Sequence, residues 1–103
     1  MSSWINVIEE EKLLDGDVTV VDLNGVEVAV FHVAENYYAI EDVCTHDGSE
    51  ISTGTICEHI IECPRHGARF DLRTGEVVEL PAYGPVQTFE VRVKDGMIQV
   101  CDD

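Results

Sequence analysis

Two short motifs stand 16 residues apart in the sequence CTHDGSEISTGTICEHIIECPRHG, residues 44–67. Cys44 and His46 form the first motif, and Cys63 and His66 form the second, so that each offers one thiolate and one imidazole. Residues this close in sequence can both be presented from the tip of a tight loop. Two such tips that face each other would form a cage of four ligands.

Two kinds of metal group fit the ligands of this cage. It would hold either one tetrahedral zinc ion or a pair of irons bridged by two sulfides, with two cysteines on one iron and two histidines on the other. The usual zinc finger pairs Cys with Cys on a hairpin and His with His on a helix, and the order of ligands here differs. Pro64 and Gly67 supply the fixed and the permissive backbone that the second loop needs.

On both sides of this stretch, apolar residues recur mostly with a period of two, which indicates β-strands. We predict strands at residues 4–8, 18–23, 26–33, 37–40, 89–94 and 97–101. Asn24-Gly25 and Asp95-Gly96 separate neighbouring strands and favour hairpins with type I′ turns. Residues 9–15 are predicted to hold one short helical turn.

A chain of 103 residues has the usual size of one domain. We predict an all-β fold for residues 1–103: an antiparallel, sandwich-like base, about 1–41 and 82–103, with a small inserted cluster-binding subdomain, about 42–81. Apolar residues of the insertion are expected to form a small second core: Ile51, Ile56, Ile60, Ile61, Phe70 and Val77. Glycines mark its tight places: Gly48, Gly54, Gly67 and Gly75.

The chain carries 21 acidic and 6 basic residues, a formal net charge of -15 at pH 7. This charge repels phosphate backbones and anionic lipid, so nucleic acid and membrane surfaces are poor partners, and we expect a monomer. No apolar run approaches the roughly 20 residues of a membrane span, and residues 1–4 begin neither a basic nor an apolar leader. We therefore expect a cytoplasmic protein. In such a reducing compartment, clustered Cys and His residues bind metal more often than they form disulfides.

The two motifs resemble the fingerprint of the Rieske 2Fe-2S proteins, C-x-H and C-x-x-H, in the forms C-T-H and C-P-x-H-G. The resemblance covers residues 44–75, and the flanking strands agree with the family only in pattern. It implies one Rieske-type 2Fe-2S cluster, in which Cys44 and Cys63 bind one iron while His46 and His66 bind the other.

In such a cluster each iron would have two sulfides and two protein ligands, which leaves no position for a substrate. We therefore expect a one-electron carrier and not an enzyme. Within the family the chain resembles the soluble ferredoxins of ring-hydroxylating or related oxygenase systems. The resemblance implies transfer from a ferredoxin reductase to a terminal non-haem iron oxygenase. Two alternatives stay open: a redox-sensing or regulatory module with the same cluster, and a zinc-stabilised interaction domain.

The chain departs from the respiratory branch of the family. Ser49 and Arg65 stand where those proteins have two further cysteines that form a disulfide, and Ala68 and Phe70 stand where they have a serine and a tyrosine that donate hydrogen bonds to sulfur. Such bonds favour the reduced cluster, so their absence lowers the midpoint potential. We predict a potential toward the lower end of the Rieske range, roughly -150 mV.

Four further residues have the chemistry of ligands, but we assign them to the scaffold or the surface. The set of four ligands is complete without Cys57 and Cys101. Cys57 is expected to be a small buried hydrophobe, and Cys101 to be structural or simply exposed; a reducing compartment disfavours a disulfide between them. His59, in a strand, is expected to be a surface residue. His32 belongs to the second predicted hairpin and to the scaffold.

Three of the six basic residues lie within nine positions: Arg65, Arg69 and Arg73. Either they neutralise nearby carboxylates, or Arg65, between the two ligands of the second motif, contacts a partner. The nearby carboxylates are Asp47, Glu62, Asp71 and Glu76.

Two prolines, Pro81 and Pro85, bracket residues 82–84. The resemblance implies that this segment is a third loop that covers the cluster. A rigid return of the chain to the base sheet is an equally good interpretation and is compatible with it.

Overall fold

The computed structural model describes residues 3–43, 50–64, 67–79 and 84–101. Within these residues the chain forms eleven strands and one 3-10 helix, Glu10–Lys12, and every strand pairing is antiparallel. The strands are β1 (Trp4–Glu9), β2 (Val18–Leu23), β3 (Val26–Val33), β4 (Asn36–Glu41), β5 (Thr55–Cys57), β6 (Ile60–Glu62), β7 (Arg69–Asp71), β8 (Val77–Glu79), β9 (Thr88–Phe89), β10 (Val91–Lys94) and β11 (Met97–Cys101). The predicted all-β class is confirmed.

The strands form three sheets, with strand orders β1-β11-β10, β2-β3-β4-β9 and β5-β6-β7-β8. We call them the first, second and third sheets. The third sheet lies between β4 and β9 in the chain, inside the stretch where the sequence predicts an insertion. The predicted limits of base and insertion stay a prediction. No helix in the described ranges is long and apolar enough to cross a membrane.

Both predicted hairpin turns have the backbone that a type I′ turn requires. Asn24 and Gly25 have φ of 56° and 91°, and Asp95 and Gly96 have φ of 53° and 78°. Asparagine, aspartate and glycine tolerate these positive angles best, so the residue pairs themselves set the register of the two hairpins.

The prediction of one continuous strand over residues 89–94 is wrong. Thr88–Phe89 pairs with β4 in the second sheet, whereas Val91–Lys94 pairs with β11 in the first. The chain crosses at Glu90, whose carbonyl oxygen accepts a hydrogen bond from Cys101 N–H at 2.9 Å. The alternation hides this crossing because Phe89 and Val91 pack against the same core.

The central strand β3 is buried on both faces. Val28 and Val30 pack with residues of the first sheet, while Ala29 and Phe31 pack with residues of the third. The first core contains Leu13, Leu23, Val28, Val30, Ala39, Ile98 and Val100. The second core contains Ala29, Phe31, Ile40, Ile51, Ile61, Cys63, Ala68, Phe70, Leu72 and Val86. A run of consecutive apolar residues is typical of a strand that is covered on both sides.

The second core therefore differs from the prediction in one respect: it is not confined to the insertion. Ile51, Ile61 and Phe70 are fully buried and pack against side chains of β3 and β4, and Ile56 and Val77 lie at its margin. Ile60 is only partly buried. Burying a large apolar side chain contributes about 1.5–3 kcal/mol, so this shared core fixes the third sheet to the second.

Candidate metal centre

The second motif begins where β6 ends. Cys63 N–H donates a hydrogen bond to the Ala68 carbonyl oxygen at 2.7 Å, and Gly67 N–H donates to the Cys63 carbonyl oxygen at 3.2 Å. Gly67 has φ of 78°, which glycine adopts without strain. These contacts close a tight loop between β6 and β7, as the motif predicts.

The Cys63 side chain is a suitable metal ligand. It is 1% exposed, belongs to the second core and forms no disulfide. A thiolate is a soft ligand that suits zinc and iron-sulfur clusters. The apolar residues around such a ligand control its access to solvent and the potential of the metal group. The donor chemistry present at this loop therefore fits the predicted cluster.

The other three predicted ligands, Cys44, His46 and His66, lie outside the described residues. The four-ligand set therefore stays a prediction. Among the residues that the structure describes, no three His, Cys, Asp or Glu side chains come together in a way that would hold a metal ion. Other residues discussed from the sequence also lie outside the described ranges: Asp47, Gly48, Ser49, Arg65, Pro81, Ala82 and Tyr83.

A buried carboxylate, not identified from the sequence, joins the chain on the two sides of the first motif. Asp42, which is 7% exposed, follows β4 directly. Its Oδ1 accepts hydrogen bonds from the N–H groups of Ile51 and Ser52 at 2.8 and 2.7 Å, and its Oδ2 accepts one from Ser52 Oγ at 2.9 Å. The only sequence signal for it is an acidic residue after an apolar strand, two positions before Cys44.

The chain that follows the first motif lies against the strand that leads to the second. Gly54 N–H donates to the Ile51 carbonyl oxygen at 2.9 Å, which closes a turn. A Cβ on Gly54 would overlap the carbonyl oxygen of Glu62. Because Glu62 directly precedes Cys63, Gly54 packs closely against the backbone at the start of the second motif.

Ala68 and Phe70 are both fully buried in the second core beside Cys63. Neither side chain carries a hydroxyl group, so neither can donate a hydrogen bond to sulfur. This placement is compatible with the predicted low midpoint potential, which stays a prediction.

The two remaining cysteines differ in environment. Cys101 is 5% exposed at the end of β11, as expected of a structural cysteine, whereas Cys57 is exposed and the expectation that it is buried is wrong. Cys57 pairs with Ile60 at the turn end of the β5–β6 hairpin, where its side chain is exposed. Both thiols are free.

Two histidines lie in the described ranges outside the motif. His32 Nδ1 is 2.7 Å from the Leu13 carbonyl oxygen, and its ring stacks on Tyr37 with 4.4 Å between centroids, so its scaffold role is confirmed. His59 lies in the turn between β5 and β6, so its prediction as a strand residue is wrong; it is partly exposed, with Nε2 3.9 Å from Asp71 Oδ2.

Two of the three clustered arginines form ion pairs in the third sheet, one on β7 and one in the turn between β7 and β8. Arg69 Nε is 2.8 Å from Glu62 Oε1, and Arg73 donates to both carboxylate oxygens of Asp71 at 3.1 and 2.9 Å. These contacts favour the interpretation of local neutralisation for Arg69 and Arg73.

The Arg73–Asp71 pair predicts a pH dependence of stability. The hydrogen bond from the Arg73 guanidinium lowers the pKa of Asp71 below its usual value, against the opposing effect of burial. Because the pKa of Asp71 is lower in the folded than in the unfolded chain, its ionised carboxylate stabilises the fold above the unfolded-state pKa of about 3.9. This stabilisation is lost as the pH falls through the pKa of the folded state.

We expect Asp71→Asn to reduce the free energy of unfolding by about 1 kcal/mol at neutral pH, since half of the Arg73 side chain is exposed and solvent screens the pair. The difference from wild type should shrink below about pH 4 in urea titrations across pH. A difference that stayed constant down to the lowest pH would contradict this role for the Asp71 charge. Glu76→Gln, an exposed change of the same charge, is the control.

A family model and known relatives match most of the chain. The Rieske [2Fe-2S] domain matches residues 3–90. Ferredoxin CarAc of Metapseudomonas resinovorans is 36% identical over 101 residues, which cover 97% of this chain and 94% of the relative. The 3-phenylpropionate/cinnamic acid dioxygenase ferredoxin subunit of Photorhabdus laumondii subsp. laumondii is 38% identical over 99 residues, with coverage of 95% and 93%.

A solved structure extends the likeness to the fold. A chain in the complex of reduced oxygenase and oxidized ferredoxin in carbazole 1,9a-dioxygenase superposes with a TM-score of 0.91 and 35% identity. The match covers 97% of this chain and 94% of that chain. It therefore includes all three sheets and both sides of each motif.

Proposed function

The chain belongs to the Rieske [2Fe-2S] domain family, and from this premise we propose that it passes single electrons from a ferredoxin reductase to a terminal non-haem iron oxygenase. One observation carries the proposal: the likeness over nearly the whole chain to a chain of a ferredoxin–oxygenase complex. The relatives are named as ferredoxin components of dioxygenase systems, so the chain is an electron-transfer component and not the catalyst. The reductase as electron donor is part of the proposal.

Family membership implies one Rieske-type 2Fe-2S cluster, which supplies one-electron redox chemistry when bound. We assign its ligands to Cys44 and Cys63 on one iron and to His46 and His66 on the other. The buried, free thiol of Cys63 at the start of the β6–β7 loop supports this assignment.

The described residues around Cys63 hold the loop backbone in place and shield one side of the thiol from water. Cys63 is backed by Ile61, Ala68 and Phe70, all fully buried, which keeps water away from that side of the ligand. The hydrogen bonds of Cys63 to Ala68 and Gly67 fix the loop backbone. A ligand held in one geometry needs little rearrangement when the metal group changes its charge.

The charge of the chain suits transient docking to basic surfaces. A formal net charge of -15 attracts a partner with a positively charged face and speeds the encounter at low salt. Complexes between electron-transfer proteins are small and short-lived, which allows one carrier to visit two partners in turn. Salt screens this attraction over roughly 10 Å at 0.1 M ionic strength, so association should slow as salt rises.

The free thiols support a reducing compartment, and we place the protein in the cytoplasm as part of the proposal. The same charge supports a monomer, because two copies repel each other. Nucleic acid and anionic membrane surfaces are disfavoured partners for the same reason.

Reconstitution of an oxygenase system tests the function. We expect product formation by a purified terminal oxygenase and ferredoxin reductase to depend on this chain, and to fall toward background when the chain is omitted or stripped of iron. Turnover that is equal with and without the chain would contradict the carrier role. Colourless protein with one zinc ion per chain would instead support the zinc-stabilised domain.

A further inference from the structure

We propose that Asp42 is a positioning residue for the cluster: its carboxylate joins the two sides of the first motif and so sets where the Cys44 and His46 ligands stand relative to Cys63. The inference rests on the proposed function, because it assigns a role to Asp42 only if these residues hold the cluster. It concerns a residue that neither the motif nor the family match identifies.

Asp42 is a buried acceptor of three hydrogen bonds. The three donors are the N–H groups of Ile51 and Ser52 and the Ser52 hydroxyl, all within 2.9 Å of a carboxylate oxygen. Hydrogen bonds to an ionised group are roughly twice as strong as neutral ones. If the carboxylate were removed, the buried Ile51 N–H would be left unsatisfied, and the two part-buried Ser52 donors would lose their partner.

The carboxylate itself is held in place by the second sheet. Asp42 N–H donates to the Glu27 carbonyl oxygen at 2.8 Å, and Glu41 N–H donates to the Gln87 carbonyl oxygen at 2.9 Å. Val43 N–H, one residue further along, donates to the Glu41 carbonyl oxygen at 2.8 Å. The backbone before the first motif is thus bonded to two neighbouring segments. Through its carboxylate, Asp42 in turn holds Ile51 and Ser52, which follow the motif.

A continuous set of contacts then leads from Asp42 to the second motif. Ile51, which Asp42 holds through its N–H, is fully buried in the second core that also contains Cys63. The turn from Ile51 to Gly54 places Gly54 against the carbonyl of Glu62, the residue before Cys63. We therefore expect a change at Asp42 to shift residues 51–54 relative to Cys63 without removing a ligand.

Substitutions at Asp42 separate its roles as acceptor and as charge. Asp42→Ala removes all three hydrogen bonds. Asp42→Asn keeps an oxygen that accepts both N–H groups, and the Ser52 hydroxyl can reverse to accept from the new amide. Ser52→Ala removes only the bond to Oδ2. These variants form a graded series in which no proposed ligand is changed.

The test measures how fast purified holoprotein loses its visible absorption in the presence of an iron chelator, together with the electron paramagnetic resonance spectrum of the reduced protein. We expect Asp42→Ala to lose colour roughly tenfold faster than wild type and to show a shifted spectrum, as residues that orient metal ligands do. Asp42→Asn should stay close to wild type in both the rate of colour loss and the spectrum. Ser52→Ala should lie between wild type and Asp42→Ala.

Two controls separate positioning from a general loss of stability. Val30→Ala removes buried volume from the first core, away from both motifs, and should lower the unfolding free energy with an unchanged spectrum. Asp17→Ala removes an exposed carboxylate that accepts a hydrogen bond from Leu14 N–H at 3.2 Å, and should change neither readout.

The inference is overturned if Asp42→Ala keeps the wild-type spectrum, whether its colour fades at the wild-type rate or only as fast as in Val30→Ala. If Asp42→Ala fails to fold, Ser52→Ala decides the matter: wild-type behaviour of Ser52→Ala in both readouts would then overturn the inference. A colourless wild-type protein would contradict the proposed function itself, whereas a coloured wild type with an indifferent Asp42→Ala would contradict only the role of Asp42.

Discussion

Cys63→Ser is expected to yield a folded protein without visible colour, in which iron and acid-labile sulfide fall from two each per chain toward none. Serine is close to cysteine in size, so the loop between β6 and β7 keeps its backbone hydrogen bonds. A serine hydroxyl, however, is a hard ligand that stays protonated at neutral pH and replaces a soft thiolate poorly. Absorption spectra and iron and sulfide analysis of the purified variant provide the measurement.

The chain supplies matched controls for this substitution. Cys57→Ser, at an exposed position, and Cys101→Ser, at a buried one, make the same chemical change outside the proposed ligand set. Both should keep wild-type colour and iron content, although Cys101→Ser should lower the unfolding free energy because it buries a hydroxyl. Wild-type iron and sulfide in Cys63→Ser, or loss of both in Cys57→Ser, would show that the ligand assignment is wrong.

Gly75→Ala is expected to lower the free energy of unfolding by about 3 kcal/mol, the sum of roughly 1–2 kcal/mol for a left-handed backbone and 1–3 kcal/mol for overpacking. Gly75 has φ of 79°, and a Cβ there would overlap the carbonyl oxygen of Val86. Val86 N–H also donates to the Gly75 carbonyl oxygen at 2.8 Å. The two segments of backbone therefore cannot move apart without losing this bond. Urea unfolding gives the change in free energy.

Two other glycines separate the two contributions. Gly25 has φ of 91°, and no atom of the described residues lies within 4 Å of the place that a Cβ would take, so Gly25→Ala should cost only the backbone strain, about 1 kcal/mol. Gly54 has no left-handed backbone but meets the Glu62 carbonyl, so Gly54→Ala should cost only the overlap, about 1–3 kcal/mol. Equal losses in Gly75→Ala and Gly25→Ala would show that the Val86 contact is not tight.

The sequence predicted local structure well wherever a short pattern carries its own cause. Asn24-Gly25 and Asp95-Gly96 produced the two expected hairpins because few other residues accept positive φ at both positions. Gly67 after the second motif likewise marked a tight loop, which the structure shows closed by two hydrogen bonds to Cys63.

Long-range arrangement was predicted less well, because the same pattern serves different partners. Residues 89–94 alternate as one strand would, yet they divide between two sheets that share a core. The apolar residues of the insertion were identified, but not their contact with Ala29 and Phe31 of β3. Asp42 escaped notice because a buried carboxylate has no local signature, and its partners Ile51 and Ser52 are nine and ten residues away.

Residue types and their spacing were enough to indicate the chemistry: two cysteines and two histidines in two short motifs, short strands with their turns, and a strongly acidic composition. These features depend on neighbours a few positions apart, which the chain displays directly. Three others became visible in the folded chain alone: which sheet each strand joins, that one core serves both the second and third sheets, and that Asp42 links the chain on either side of the first motif. They arise when distant segments meet and bury their polar and apolar groups together, and no short stretch of residues specifies its distant partner.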